Sequence, residues 1–217
     1  LLLTDKGYFK IGELAENHQT VNAWNGFEFS EVTPFKTSDR EKVYEVVFSD
    51  GSVNRVTNYH KFHIDGKIKR THELKIGDRV SKFNLPIIDC EPQYTKKQMY
   101  TQGFYAGDGT LSNNGNGNKY ARITLCGEKI DLFDRIETIS DSYKISKKGY
   151  MTCSVIVPSY DKLYVPINAS IEEKIGFISG LLDSDGNANG SARISSTNRQ
   201  FLIDVKLMLS TIGIKCT

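Results

Sequence analysis

I-S-G-L-L-D-S-D-G, residues 178–186, decides the fold when it is set against T-Q-G-F-Y-A-G-D-G, residues 101–109. Both stretches hold a glycine at the third place, end in Asp-Gly, and close a helix-like run. Upstream, Thr95-x-x-Gln98 and Ser170-x-x-Glu173 have the form of a capping box, in which the first side chain accepts from an orphan backbone N–H and the fourth reaches back. Downstream, Ala121-Arg122-Ile123-Thr124 is echoed by Ala192-Arg193-Ile194-Ser195. A helix-like segment follows each, IDLFDRIETI in the first copy and FLIDVKLMLSTIG in the second. Matched caps, glycines, Asp-Gly ends and A-R-I runs make an internal repeat of strand-and-helix units.

Glycine at positions 103 and 180 lets two helix backbones approach closely, which brings the helix ends side by side. Asp108 and Asp185 then lie together on a pseudo-twofold axis. Such carboxylates resist joint ionisation unless hard cations sit between them, so the pair implies Mg2+. Across a phosphodiester, the metal activates water and stabilises the leaving oxygen. Two plainer readings compete. Asp-Gly is commonly a turn that stops a helix. Asp183, Asp185 and Asn187 have the D-x-D-x-N spacing of a calcium loop, but Ala188 stands where glycine is needed and Ile194 where glutamate is needed.

Before about residue 85 the pattern is different: short β-type runs such as Val43 to Phe48 and Val53 to Thr57, broken by Asp50-Gly51 and Asp65-Gly66 turns. PIIDCEPQY, with two prolines and no periodicity, reads as a connection. The expected organisation is two-domain, an all-β unit over 1–88, a linker over 89–97 and an α+β unit over 98–217. The 217 residues, 39% hydrophobic, suffice for this. No run of about 18 apolar residues exists to span a bilayer, and the start LLLTDKGYFK has neither a basic leader nor a cleavage site. Cys90, Cys126, Cys153 and Cys216 form no C-x-x-C pair, which argues against a zinc site or disulfide framework. We expect a soluble, monomeric, cytoplasmic protein that engages no membrane. A formal charge of +2 neither requires nor excludes nucleic acid.

The motif at 178–186 closely resembles LAGLIDADG, and the one at 101–109 a degenerate copy of it. The resemblance to LAGLIDADG homing endonucleases implies pseudo-twofold αββαββα-type repeats, a double-stranded DNA partner, and one metal-binding acid per repeat, Asp108 and Asp185. The carbonyls of Gly107 and Ser184 are further expected ligands, and Lys162, assigned to the last strand before the second motif helix, a catalytic lysine. Asp183, facing Ala106 in the first copy, has an expected structural or capping role. Arg122, Thr124, Arg193 and Ser195, on the first strand after each motif, and the adjoining Lys119 and Tyr120, are expected DNA contacts.

In the first half, D-G-S-V-N-R-V-T-N-Y-H-K-F-H-I at 50–64 and H-E-L-K-I-G-D-R-V at 72–80 resemble the horseshoe-like Hint fold of inteins. Thr57 and His60 can face one peptide bond, the hydroxyl bonding it and the imidazole donating a proton as an acyl shift proceeds. His18, His63 and His72 are read as structural or exposed. The implied partners are the flanking exteins of a host protein. Neither a splice-junction nucleophile before Leu1 nor a closing His-Asn pair after Thr217 is in view, so the stretch is expected to be a piece truncated at both ends. The competing functions are a catalytically inactive LAGLIDADG DNA-binding or RNA-splicing cofactor module and a hedgehog-type autoprocessing domain.

Overall fold

In the computed structural model the chain divides into two units, residues 1–86 and 87–216. All residues are described except 114–115, 140–142, 148–150, 159–160, 188–189 and 217, with 143–147 and 151 described by backbone alone.

In the first unit, short apolar alternation between turn residues makes strands. Strands β1 (Leu2–Thr4), β2 (Gly7–Phe9), β3 (Val21–Trp24) and β4 (Phe29–Val32) form a sheet in the order β2-β1-β3-β4. Strands β5 (Val43–Val47) and β6 (Val53–Thr57) make one antiparallel pair, and β7 (Lys61–Ile64) and β8 (Lys67–Arg70) another. Asp65 and Gly66 join the latter with φ of +46° and +75°, the left-handed pair that a two-residue hairpin loop of type I′ demands. Leu3, Leu14, Ala23, Phe62 and Ile64 are buried. The unit is mostly, not wholly, β as the sequence suggested. Helix α1 (Ile11–Glu16) interrupts the strands because burying Leu14, only 2% exposed, holds that turn against the sheet.

The second unit is α+β. Helix α2 (Lys96–Asp108) leads to β9 (Thr110–Asn113), β10 (Lys119–Cys126), a 3-10 segment (Gly127–Arg135), β11 (Tyr143–Lys147) and β12 (Met151–Val157), followed by α3 (Ile171–Asp185) and α4 (Arg199–Ser210). Both capping boxes form. Thr95 Oγ1 accepts from Gln98 N at 3.1 Å and Ser170 Oγ from Glu173 N at 3.3 Å, and the Gln98 and Glu173 side chains return the bond. The antiparallel sheet runs β11-β12-β10-β9. Arg122 and Thr124 lie on β10, the second strand after α2 and not the first as expected, because Thr110–Asn113 pairs with it as β9. Along β10, Ala121, Ile123 and Leu125 are buried against Tyr100, Phe104 and Tyr105 of α2, while Arg122 and Thr124 face the other way. On its other side α3 packs Phe177 and Leu181 against Phe201, Val205 and Met208 of α4. Each such buried side chain is worth roughly 1.5–3 kcal/mol over its exposed state.

Two further expectations need correction. The first helix-like segment, IDLFDRIETI, is not an α-helix: the 3-10 segment there starts at Gly127 (φ +58°) with no side-chain cap, and Ile130, Leu132 and Phe133 pack against the sheet instead. In the second copy the strand expected to carry Arg193 and Ser195 is reduced to an isolated Asn187–Arg193 bridge, since no neighbouring strand pairs it further among the described residues. Residues 87–95 carry no helix or strand, in keeping with a connection, but they are tied to the second unit. Ile88 N donates to Thr211 O at 2.8 Å and Gln93 N and Tyr94 N to Glu173 Oε1 at 2.9 and 2.6 Å, while Ile88 O accepts from Lys174 Nζ at 2.8 Å. Glu173 and Lys174 are fully buried, and buried charges hold partners close. Burial raises the Glu173 carboxyl, but N–H donors from Ser170, Gln93 and Tyr94 outweigh it and hold it below the usual range. Among the described residues no helix is long and apolar enough to cross a membrane.

Candidate functional site

Helices α2 and α3 meet at their glycines. A Cβ on Gly103 would sit 1.9 Å from Phe177 O, and one on Gly180 1.9 Å from Tyr100 O, so each helix offers its glycine to the other's backbone. The seam runs on to the helix ends, where a Cβ on Gly107 would meet Ser184 Oγ at 2.1 Å and Asp185 Cγ at 3.2 Å. Asp108 and Asp185, each the last residue of its helix, are thereby brought together. Burial and then the Asp108 charge push the Asp185 carboxyl above its ordinary value, while Lys129 and Lys162 pull it back.

Those lysines complete the site. Lys129 Nζ lies 2.6 Å from Asp108 Oδ2 and 2.6 Å from Ser184 O, holding two of the atoms expected to ligate a cation. Lys162 is not on a strand: β12 ends at Val157, and Lys162 sits in the turn beyond, its Nζ 2.5 Å from Gly109 O. The cap of α2 at Gly109 gives that ammonium a carbonyl to bind. Beside the pair, Asp183 accepts from Tyr100 Oη at 2.7 Å and Arg135 Nη1 at 3.3 Å.

Whether a divalent ion fits is a question of donors. Two carboxylates and the Ser184 carbonyl are hard oxygen donors of the kind Mg2+ takes, and an ammonium already bridges two of them. Gly107 lies against Ser184 and Asp185. Among the described residues no group of three or more His, Cys, Asp or Glu side chains is poised for a metal, so carbonyls or waters must complete the shell. Lys129, Arg135 and Tyr100 were missed from the sequence. No spacing marks Lys129 and Arg135, because the 3-10 segment reaches the helix ends only through the tertiary fold, and Tyr100 joins from within α2 through its bond to Asp183.

On the outer face of the sheet, Arg122 Nε is buried without a hydrogen-bond partner and Thr124 Oγ1 lies 3.0 Å from Ser154 Oγ. Lys119 is exposed at the start of β10. Arg193 and Ser195 are exposed outside regular structure and do not join that face as a matching strand.

In the first unit Thr57 ends β6 and His60 follows a turn closed by His60 N to Thr57 O at 3.2 Å. Thr71 Oγ1 donates to Thr57 O at 2.8 Å and braces the turn. The exposed His60 ring stands edge-on to Phe62, with centroids 5.1 Å apart. The other histidines are peripheral: His72 Nδ1 lies 3.1 Å from Asn58 O, His18 adopts φ +49°, and His63 stacks edge-on against Phe83.

A family model described as a LAGLIDADG-like domain matches residues 172–217. Over nearly its whole length the chain is similar to a viral enzyme, the ribonucleoside-diphosphate reductase large subunit of Invertebrate iridescent virus 6. The two are 29% identical over 237 aligned residues, covering 99% of this chain and 24% of the relative, so the chain spans about a quarter of that protein's length. Among solved structures, I-DmoI in complex with DNA and Mn is similar over 56% of this chain and 80% of its own, with 20% identity and a TM-score of 0.41. A mesophilic variant of the homing endonuclease I-DmoI covers 56% and 74% at 19% identity and a TM-score of 0.42.

Proposed function

We propose that the chain is an intein segment combining an autocatalytic splicing unit with a site-specific, double-strand DNA endonuclease that acts in intein homing. The observation that carries the nuclease reading is the glycine seam, which delivers Asp108 and Asp185 to one point with Lys129 and Lys162 beside them. Asp108 and Asp185, with the carbonyls of Ser184 and Gly107, would hold Mg2+. That ion, when bound, supplies the charge that activates water and stabilises the leaving oxygen. Lys129 holds the Asp108 carboxylate in position. Lys162 sets a positive charge by Asp185, against the rise that Asp108 imposes. Arg122 and Thr124, with Lys119 at the strand start, face the DNA, and Arg193 and Ser195 add exposed polar contacts from the second copy.

In the splicing unit, His60 donates to the scissile peptide and Thr57 bonds it, as the exteins of a host protein are joined. Supporting a host is the likeness to a reductase subunit over a quarter of that protein's length. The protein acts as a monomer in the cytoplasm.

The two activities separate under mutation of the full-length protein. Asp108→Asn or Asp185→Asn abolishes Mg2+-dependent cleavage of a plasmid carrying the uninterrupted host gene while splicing continues, and His60→Ala stalls splicing while cleavage persists. Binding of that plasmid without cutting by the wild type would instead identify a catalytically inactive DNA-binding module.

A further inference from the structure

Charge is segregated within the first unit. Residues 1–60 hold six Lys or Arg against nine acids, whereas residues 61–82 hold seven against three. The acids in the latter stretch are largely committed. Asp78 pairs with Lys69 at 2.7 Å and accepts from Lys75 N, and Glu73 accepts from Arg70 N at 2.6 Å. Asp65 takes up the hairpin turn with its carboxylate exposed, and by the Ile64–Val80 register it is the one acid beside Arg79.

The register sorts the cations onto one face. In the β7–β8 ribbon, Lys61 stands directly opposite Arg70 and His63 opposite Ile68, while Phe62 and Ile64 point into the core. A third lane is added by the Ile64–Val80 bridge and by Ser81 N donating to His63 O at 2.8 Å, so Arg79 and Ser81 share the outer face. Lys61, Arg70 and Arg79 are exposed and have no ion-pair partner among the described residues. Like charges directly opposite in a ribbon are destabilising, so the Lys61–Arg70 pair is held against its own repulsion. Lanes about 5 Å apart spread the cations across about 10 Å. That width suits the major groove of B-DNA, about 12 Å wide, which admits a two-stranded ribbon.

We propose that this face of the β7–β8 ribbon binds the phosphate backbone of duplex DNA, a contact separate from the one assigned to Arg122 and independent of whether the second unit cuts DNA. The test measures binding of the full chain to a labelled 30-base-pair duplex of arbitrary sequence by fluorescence anisotropy, from about 50 to 200 mM NaCl. Lys61→Gln/Arg70→Gln/Arg79→Gln should lower affinity at least tenfold near 100 mM salt and reduce the salt slope by about 2 to 3, at roughly 0.9 for each phosphate no longer neutralised. Circular dichroism reports folding, and Arg70→Gln alone, with a slope reduction of about 1, serves if the triple variant does not fold. Lys6→Gln/Lys36→Gln/Lys42→Gln removes equal charge elsewhere; an equal fall in slope there would overturn the proposal, as would unchanged binding in the ribbon variant. Arg122→Gln keeps the readings apart, since weaker binding confined to that variant overturns the ribbon contact and leaves the nuclease reading standing. Ribbon-dependent binding to phosphatidylserine vesicles that exceeds binding to DNA would assign the face to a membrane surface and likewise overturn it.

Discussion

Replacing Gly180 by alanine tests the seam on which the nuclease reading stands. The new Cβ would lie 1.9 Å from Tyr100 O and 2.9 Å from Phe104 N. An ordinary carbon–oxygen approach is about 3.3 Å, so α2 and α3 must part by roughly 1.4 Å. The obstacle is backbone, which cannot turn aside as a side chain can. Overpacking of this kind costs typically about 1–3 kcal/mol, and the upper end applies here. Against it stands the helix-propensity gain of alanine over glycine, about 1 kcal/mol. The net expectation is a loss of about 2 kcal/mol, or about 4–8 °C in Tm for a chain of this size. Urea and thermal unfolding followed by circular dichroism measure it directly. Gly103→Ala, 1.9 Å from Phe177 O, should behave alike, and the double variant should lose less than the two together because the first parting relieves the second clash. If Gly180→Ala were neutral, or more stable by the propensity gain, the helices would not be in contact at this point and the pairing of Asp108 with Asp185 would lose its cause.

Other outcomes follow from single contacts. Ser170→Ala removes the oxygen that accepts from Glu173 N and should cost about 1 kcal/mol in the same unfolding assay. Glu173 titrates below its ordinary value in the folded chain, so its stabilisation is present above about pH 4.3 and is lost as pH falls through the lower folded value; Glu173→Gln should flatten that acid limb of a stability-versus-pH curve. Lys129→Gln removes the ammonium from Asp108 and Ser184 O, so its Tm in EDTA should fall below wild type, with the gap narrowing when Mg2+ is added; an equal gap in both buffers would argue against a cation site there.

The parts legible in the sequence are those that local chemistry controls. Thr95 and Ser170 announce helix starts because a cap is satisfied within four residues, and Asp65-Gly66 announces its turn because few residue pairs tolerate two positive φ angles. Gly103, Gly180 and the two terminal aspartates were readable because the repeat pairs them. What escaped depends on distant partners. The IDLFDRIETI segment has the composition of a helix, yet it lacks a cap at Cys126 and spends Ile130, Leu132 and Phe133 on the sheet. Lys129 belongs to the site only because that 3-10 segment is folded back over both helix ends, and Lys162 reaches it from a turn rather than a strand. Arg193 resembles Arg122 in sequence, but β10 has β9 and β12 to hydrogen-bond, whereas the second copy has, among the described residues, the bridge to Asn187 alone.

The stitching of residues 87–95 also says where this chain can be shortened. Pulling that segment out with the first unit would strip Glu173 of two amide donors and Lys174 of its carbonyl, leaving two buried charges at the root of α3. Either unit expressed alone should therefore be cut between Pro86 and Ile87. The joint belongs to the second unit, so a break that respects it leaves Glu173 and Lys174 with their partners.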